Sequence, residues 1–346
     1  TYLDYLYETN YAETLADLAT VGIIADVCDM MSMENRAICN QGFRLPVNNA
    51  ILNLCKEGFD STAISFNIAP LVNAANRMNR NDLALQLFIS DNSKQVKMII
   101  KELEDIRKQQ KEKVNELMPN LLQEGDLQKD YKCAFFFIKD ADNLGGLLAT
   151  KLAATYHKPC LVLHDTGDNY EGSMRAEGVE NFSKLVNDSG LGQCLGHENS
   201  AGICIPKCNF EKFQHYIEDV LSSTTFQQDL IVDLTIDRAQ ITPFLLSAFN
   251  NINRITGKNF EPIKVMIDGV RKYEIKQLSQ GKHLSVNAPD MKFLYWNFND
   301  WDKVETGGVF SAVGTLSENS FMGRKSTQMI MEDFYFAPSF KLTNLW

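Results

Sequence analysis

The sequence predicts an α/β, multi-domain protein, and three observations support this fold class. The chain has 346 residues, of which 45% are hydrophobic and 23% charged, a composition typical of a folded protein of two or three domains. Helical periodicity dominates the first part, strands and helices alternate in the middle, and short strand-like segments fill the end. We therefore expect these parts to form separate domains.

Residues 1–92 are predicted to be mostly helical. Apolar residues recur at spacings of three and four in "AILNLCKEGF" and "DLALQLFI", as they do on the buried face of a helix. Between these segments, Pro70 and the four asparagines of Phe66–Asn79 predict irregular backbone.

A long helix is predicted to connect this part to the rest of the chain. In Ser93–Met118 the apolar residues follow one stripe among lysines and glutamates, which predicts a connector at 93–128. Strands that alternate with helices predict an α/β domain at 129–223. Five short alternating segments separated by turn residues predict a small β-barrel of the OB type at 224–346.

Composition limits the location and the partners of the protein. The longest apolar runs, such as "CAFFFI" and "PCLVL", are too short to span a bilayer, and no signal peptide precedes them, so we expect a cytoplasmic protein without a membrane partner. The net charge of -10 argues against a nucleic-acid partner. However, the excess of acid lies within residues 1–223, and an acidic region also suits a divalent metal.

Asp26 ends an apolar run, "DLATVGIIAD", where an unpaired buried charge would be costly. A metal or phosphate site explains this carboxylate, and so does a capped turn. Asp29 is expected to cap the turn that follows.

Two predicted loops flanked by glycine carry the residue types that bind phosphate, and their side chains could converge on one phosphate group. Ser173 and Arg175 lie in "GSMRAEG", and His197 lies in "LGHENSAG". Arginine offers a bidentate fork, serine offers a donor, and glycine lets backbone N–H groups approach an anion closely. Both segments are also compatible with plain turns.

The order and spacing of the motifs resemble one known family. "DLATVGIIADVCDMMSMENRAICNQGF", "IAPLVNAANRMN", "GGLLATKLAATYHKPCLVLHDTGDNYEGSMRAEG" and "LGHENSAG" follow one another as in the later two thirds of RecJ, the single-strand-specific 5'-to-3' exonuclease of the DHH phosphoesterase superfamily. The text from "KHLSV" to "GTLSENSFMGRKSTQMIMEDF" is similar to the β-barrel domain of RecJ. The resemblance implies that 1–92 is the helical end of a DHH domain and that 129–223 is the DHH-associated domain.

The resemblance also implies roles for six residues. In the family, the Asp that closes a "GTIAD"-type motif binds one of a pair of Mn²⁺ or Mg²⁺ ions, and Asp26 in "GIIAD" matches it. The positions that match the family's contacts to nucleic acid or phosphate are Asn73, Arg77, Ser173, Arg175 and His197. The implied function is metal-dependent 5'-to-3' hydrolysis of single-stranded DNA.

Several positions depart from the family pattern. Leu195 and Asn76 replace glycines, and Ala176 replaces a serine. No Asp-His-His occurs in the chain, and the family's other metal ligands precede the motif that contains Asp26. We therefore expect a fragment that lacks the upstream metal-binding motifs and is inactive alone. The alternative is a catalytically silent relative that binds single-stranded DNA or acts as a scaffold.

The aromatic run "FLYWNFNDW" (Phe293–Trp301) has two interpretations. OB-type domains often stack bases on exposed aromatic rings. A small barrel also needs large side chains in its core, and alternation along a strand sends about half of them inward. The sequence favours core packing for any single member of the run.

Overall fold

The fold is described by a computed structural model. It covers residues 5, 7, 9–139, 143–226, 230–298, 300–304, 308–321 and 324–337, without the side chains of 320, 321, 324, 325 and 337. The helices are α1 (Ala16–Ala25), α2 (Met33–Arg44), α3 (Asn49–Leu54), α4 (Ser61–Ala63), α5 (Ala69–Arg77), α6 (Asn81–Ile89), α7 (Ser93–Asp126), α8 (Gly145–Tyr156), α9 (Phe182–Ser189), α10 (Phe210–Val220) and α11 (Pro243–Asn253). The strands are β1 (Ala134–Phe137), β2 (Cys160–Asp165), β3 (Asn169–Arg175), β4 (Gln193–His197), β5 (Ser200–Pro206), β6 (Leu234–Ile236), β7 (Lys264–Val270), β8 (Glu274–Leu278), β9 (His283–Asn287), β10 (Met291–Tyr295), β11 (Val309–Phe321) and β12 (Arg324–Ala337).

The predicted α/β, multi-domain fold class is confirmed, since helices combine with two sheets. The chain divides into two compact units, one of Thr1–Ile68 with Leu230–Trp346 and one of Ala69–Asp229. The finer domain boundaries of the sequence analysis stay a prediction. No helix among the described residues is long and apolar enough to cross a membrane.

Local sequence explains where several helices begin. The Asn92 side chain accepts hydrogen bonds from the backbone N–H groups of Lys94 and Gln95 and so caps α7. Thr242 caps α11 in the same way, and Pro243 follows at the first helical position, where its missing N–H costs nothing.

In the first unit, the N-terminal helices pack against the turn that follows α11. The Arg254 guanidinium lies over the Phe43 ring and donates to the carbonyls of Phe43 and Phe59. The Met30 N–H donates to the Lys258 carbonyl at 2.9 Å. Segments far apart in sequence therefore share one compact unit.

The same unit contains a seven-stranded sheet in the order β6-β7-β11-β12-β10-β9-β8. The five expected strands correspond to β7, β9, β10, β11 and β12, whereas β6 and β8 were not expected. β6 has three residues, and β8 has the largely polar sequence "EIKQL", so neither shows a clear apolar alternation.

This sheet resolves the two interpretations of the aromatic run. Phe293 is fully buried and Phe298 is 4% exposed, so both belong to the core. Trp296 is 48% exposed, and the edge of its ring system meets the His283 ring at a centroid distance of 4.9 Å. Core packing thus accounts for the phenylalanines but leaves an indole at the surface.

The second unit contains a five-stranded sheet in the order β1-β2-β3-β5-β4. On one face, α8 and the C-terminal half of α7 cover Phe136 and Val162. On the other face, α9 and α10 cover Leu161, Leu163 and Met174. The long helix therefore contributes directly to the core of this unit.

The expectation of irregular backbone at Phe66–Asn79 is wrong. This segment forms the end of a π-helical stretch, Ile64–Ile68, followed by α5. In a regular helix, the Pro70 ring would clash with the carbonyl four residues earlier. The wider π turn directly before Pro70 offers a physical reason why helical structure persists through it.

Lys158 joins the end of α7 to the second unit's sheet. Its side chain is buried, and its Nζ donates to the carbonyls of Gln128, of Lys129 at 3.1 Å and of Tyr131 at 2.6 Å. Burial lowers the pKa of Lys158. One ammonium group thus donates to three carbonyls that follow the end of α7. Carbonyls at a helix end lack the intrahelical N–H partner that carbonyls within the helix have.

We predict that Lys158→Met lowers the free energy of unfolding of this unit by about 2 kcal/mol or more, because three carbonyls lose hydrogen bonds from a charged donor. Urea denaturation followed by circular dichroism measures the change. Lys151→Met on the exposed face of α8 is the matched control and should leave the midpoint nearly unchanged. Equal effects of the two substitutions would contradict this role for Lys158.

Candidate functional site

Ser173, Arg175 and His197 lie on one face of the five-stranded sheet. Arg175 is paired with Ser200 of β5, and Ser200 is paired with His197 of β4. Directly opposed residues project to the same face, so Arg175 and His197 share a cross-strand row with a separation of about 10 Å. Ser173 lies two residues earlier on β3 and therefore projects to the same face.

Ser173 and Arg175 were expected in a loop between glycines, but both lie on β3. His197 was also expected in a loop and instead ends β4, just before the turn to β5. The polar residues that suggested turns are tolerated in these strands because their side chains face an open part of the sheet. The rigid positions of strands hold functional side chains more firmly than loops do.

The N-terminus of α8 faces Ser173 and Arg175. A Cβ atom placed on Gly145 would lie 3.5 Å from the Ser173 Oγ, and one on Gly146 would lie 3.1 Å from an Arg175 guanidinium nitrogen. Among the described residues, no side chain makes a capping hydrogen bond to this helix at Leu144. The N–H groups and the positive dipole end of α8 are therefore directed towards the two side chains, as in known anion-binding sites.

Arg77 lies close enough to Arg175 for their charges to interact. Burial is the main cause of the lowered pKa of Arg175, and the positive charge of Arg77 lowers it further. Burial also lowers the pKa of Arg77. Neither guanidinium has a carboxylate partner among the described residues, whereas nearby Arg80 contacts Glu102 at 2.9 Å.

Arg77 and Asn73 are one helical turn apart on α5, so they lie on the same face of that helix. Asn73 is exposed and Arg77 is half-buried. Asn76, which replaces a glycine of the family pattern, is exposed within the same helix and has an ordinary helical conformation. Asparagine at this position is therefore compatible with a regular helix.

The turn that carries His197 depends on Gly196. Its φ of 143° lies in the region that favours glycine, and a Cβ there would lie 2.9 Å from the Ala201 Cα. Leu195, the other departure in this motif, is 88% exposed. The side chain of Leu195 thus points into solvent, and the glycine that the turn needs is retained. The Ser183 hydroxyl donates to the His197 carbonyl at 2.7 Å and fixes the turn further.

A cavity of about 870 Å³ opens beside these residues. Its walls include Gly145, Ser173, Leu195 and Gly202. A cavity of this volume is in the range of small-molecule and nucleotide sites. The sequence analysis did not assign Gly145 and Gly146 to the site, although the Gly-Gly pair before an apolar helix was visible.

Asp26 lies in the other compact unit, at the C-terminal end of α1. It is exposed rather than buried, so the cost of a buried charge does not arise. A helix C-terminus disfavours an anion by about 0.3–1 kcal/mol and favours a cation. Val27, the next residue, has a φ of 56°, which is strained for a β-branched side chain. Asp29 accepts from the Met31 N–H at 2.9 Å and so caps its turn as expected.

The donors around Asp26 do not form a metal centre on their own. No group of three His, Cys, Asp or Glu side chains that could hold a metal ion occurs in the part of the chain that the structure describes. A pair of divalent ions needs several carboxylates or imidazoles within a few ångströms. Asp26 fits the chemistry of a single Mn²⁺ or Mg²⁺ ligand and no more.

Comparisons with known proteins agree with this architecture. Residues 232–333 match the family model of the RecJ OB domain. The single-stranded-DNA-specific exonuclease RecJ of Bacillus subtilis is 23% identical over 93% of this chain and 44% of its own length. The crystal structures of Thermus thermophilus RecJ in complex with Mn²⁺ and with Mg²⁺ are 20% identical, cover 97% of this chain, and give TM-scores of 0.78 and 0.77.

The chain is RecJ-like. It spans about half the length of the curated relative and the solved structures that it matches. The fold class predicted from the sequence therefore holds for both units and for the OB domain. The roles of the six site residues in this RecJ-like chain remain proposals.

We predict that Gly196→Ala destabilises the β4–β5 hairpin by about 1–3 kcal/mol, because alanine is strained at this φ and meets the Ala201 backbone. Thermal unfolding measures the loss. Gly202→Ala is the control in the same hairpin, since its Cβ would meet only ordinary contacts at 3.7 Å and beyond. If Gly196→Ala is as stable as the control, glycine is not required at position 196.

Proposed function

We propose that this RecJ-like chain holds the DNA strand in a metal-dependent exonuclease that degrades single-stranded DNA from its 5' end. In this proposal the sheet face of the second unit binds the terminal 5'-phosphate, Asp26 contributes one metal ligand, and the OB domain binds the strand. The chain alone is inactive in this account because the described residues supply one ligand rather than a metal centre.

The approach of the Arg175 guanidinium to the N-terminus of α8, together with the positive charge of Arg77 that acts on Arg175, carries this proposal. Two like charges that are partly buried repel one another, and burial itself disfavours each charge. Within the described part of the chain no carboxylate neutralises them. A phosphate dianion removes the repulsion and accepts several charge-assisted hydrogen bonds, so this arrangement favours phosphate over a neutral ligand.

The surrounding groups suit a terminal phosphate. Arg175 offers its guanidinium, whose Nη1 also donates to the Met174 carbonyl at 2.7 Å, and Ser173 offers a hydroxyl donor. At the start of α8, the N–H groups of Gly145 and Gly146 have no partner among the described residues, whereas those of Leu147 and Leu148 donate to the Leu144 carbonyl. His197, in the same row as Arg175, is exposed at the end of β4 and offers a further donor from its ring. These groups position the end of the strand and leave bond cleavage to the metal centre.

Asp26 is proposed as a ligand of Mn²⁺ or Mg²⁺. The relative of known structure was crystallised with each of these ions. The helix C-terminus beside Asp26 and the strained Val27 both suit a site that binds a cation. When bound, such ions activate water and stabilise charge on the phosphodiester. The remaining ligands lie outside the described residues in this proposal.

A catalytically silent relative that binds single-stranded DNA is the alternative. It has the same phosphate and strand contacts, so binding alone does not separate the two proposals. Hydrolysis by the full-length natural protein does separate them, since the silent relative leaves the strand intact.

We predict that Arg175→Gln weakens binding of a 5'-phosphorylated single strand by about tenfold to a hundredfold, because a hydrogen bond to a charged group contributes roughly 1.5–3 kcal/mol. The slope of log affinity against log salt should fall by about 0.7, the value for one lost phosphate contact. Fluorescence anisotropy at several salt concentrations measures both. Arg107→Gln, an equal charge change on the exposed face of α7, should have little effect. If both variants reduce affinity equally, Arg175 does not contact the terminal phosphate as proposed.

We predict that Asp26→Asn in the full-length protein lowers Mn²⁺-dependent degradation of single strands by at least about a hundredfold, since even residues that only support metal ligands cost 10–100-fold when lost. Asp29→Asn is the matched control, because the amide oxygen can still accept from Met31. Release of labelled nucleotides measures the rate. Full activity of Asp26→Asn would exclude the metal role, and no activity of the wild type in Mn²⁺ would favour the silent relative.

We predict that Trp296→Leu weakens binding of single strands by the amount of one stacked base, about 1–3 kcal/mol. The exposed indole beside His283 supports this role. Binding by anisotropy measures the loss. Phe244→Leu on α11 replaces another exposed aromatic ring, outside the sheet, and serves as the control. Unchanged affinity of Trp296→Leu would assign the indole to packing alone.

A further inference from the structure

A row of polar side chains crosses the cavity next to the proposed phosphate site. The pairing of the strands places His164 of β2 opposite Glu171 of β3, Glu171 opposite Cys204 of β5, and Cys204 opposite Gln193 of β4. All four residues line the cavity. Since opposed residues share a face, they form one row across four strands.

We call His164, Glu171, Cys204 and Gln193 the polar row. The strand geometry sets its distance from the residues of the proposed phosphate site. Glu171 and Ser173 are two residues apart on β3, a spacing of about 7 Å, and both project to the same face. The row is therefore neither part of the proposed anion site nor remote from it. The floor of the cavity beside Ser173 is open, because the residue that opposes Ser173 on β5 is Gly202.

Glu171 has an oxygen free to accept a hydrogen bond. Its Oε1 meets the Thr166 hydroxyl at 3.4 Å and the Cys204 Sγ at 3.9 Å. Its Oε2 has no hydrogen-bond partner within the described ranges, and the same is true of the side chains of His164 and Gln193. An ionised carboxylate accepts hydrogen bonds only, so this group selects a ligand that presents N–H or O–H donors.

A metal site explains the row less well. His164, Glu171 and Cys204 are residue types that bind metals, yet no three such side chains converge on a common point among the residues described. Their order along a row across neighbouring strands spreads them over roughly 10 Å, at about 4.8 Å per strand. A flat, extended ligand matches this arrangement better than an ion does.

We propose that the polar row is a base-recognition subsite, in which Glu171 accepts a hydrogen bond from the exocyclic amino group of the terminal nucleobase. The inference rests on the proposed function, because the 5'-phosphate of the same nucleotide binds at Ser173 and Arg175. The ligand class is a nucleoside 5'-monophosphate or the 5'-terminal nucleotide of a single strand. Among otherwise similar pyrimidines, the subsite favours cytosine, which carries an amino group where uracil carries a carbonyl oxygen.

The test compares dCMP with dUMP, two nucleotides of nearly equal shape. The dissociation constants for the chain are measured by NMR titration, with inorganic phosphate and deoxyribose 5-phosphate as probes of the anion site alone. We expect dCMP to bind about tenfold more tightly than dUMP, the factor that one good base contact provides. Equal binding of the two nucleotides would overturn the inference.

Two variants and a control assign the effect to this subsite. Glu171→Gln should reduce the preference for dCMP to within about twofold, because an amide both donates and accepts. Glu211→Gln, the same charge change on α10 away from the cavity, should retain the preference. Gly202→Leu places a side chain opposite Ser173, outside the polar row, and should weaken dCMP, dUMP and inorganic phosphate together by about tenfold while the preference for dCMP is retained. Retained preference in Glu171→Gln would overturn the inference.

The outcomes also separate this inference from the proposed function. If inorganic phosphate and deoxyribose 5-phosphate bind and respond to Arg175→Gln, but dCMP and dUMP do not differ, the phosphate site stands and the base subsite fails. If none of the four probes responds to Arg175→Gln, the proposed phosphate site itself fails. Circular dichroism confirms that Gly202→Leu is folded before its titration is interpreted.

Discussion

The hydrogen-bond register of β3, β5 and β4 is the constraint on which the site depends. It places Arg175 and His197 in one row, and Ser173 in the row next to it. A slip of one residue would send these side chains into the opposite face of the sheet, where α9 and α10 pack. Met174, Ala201 and Ile203 are buried on the opposite face and fix the register. The residues that form the core therefore also determine the direction in which the site side chains project.

The charge arrangement follows from this register. Arg175 projects towards the N-terminus of α8, and the positive charge of Arg77 also acts on it, so two sources of positive potential add. Burial lowers the pKa of both arginines, and the charge of Arg77 lowers that of Arg175 further, so the charged form of each is disfavoured in the absence of an anion. In the proposed function, a bound phosphate offsets this cost. The acidic net charge of the whole chain therefore does not exclude a nucleic-acid partner, because the local charge decides binding.

The sequence motifs named the residues of the candidate site but little of its geometry. The fold class followed from periodicity, and the grouping of Ser173, Arg175 and His197 followed from their glycine-flanked motifs. The strands that carry them were not predicted, because glycine and polar residues in β3 and β4 imitate turns. The approach of Arg77 to Arg175 also lay beyond local patterns, since it depends on tertiary packing. Pro70 predicted irregular backbone, and only the preceding π turn explains why α5 is helical.

The most direct test of the phosphate-binding face uses one oligonucleotide in two forms, with a 5'-phosphate and with a 5'-hydroxyl. Competition binding to the unmodified chain at low salt measures the ratio of their affinities. The account predicts that the phosphorylated strand binds at least about tenfold more tightly, because two arginines, Ser173 and the α8 N-terminus meet the added dianion. Equal affinities would show that this face does not recognise a terminal phosphate and would contradict the account.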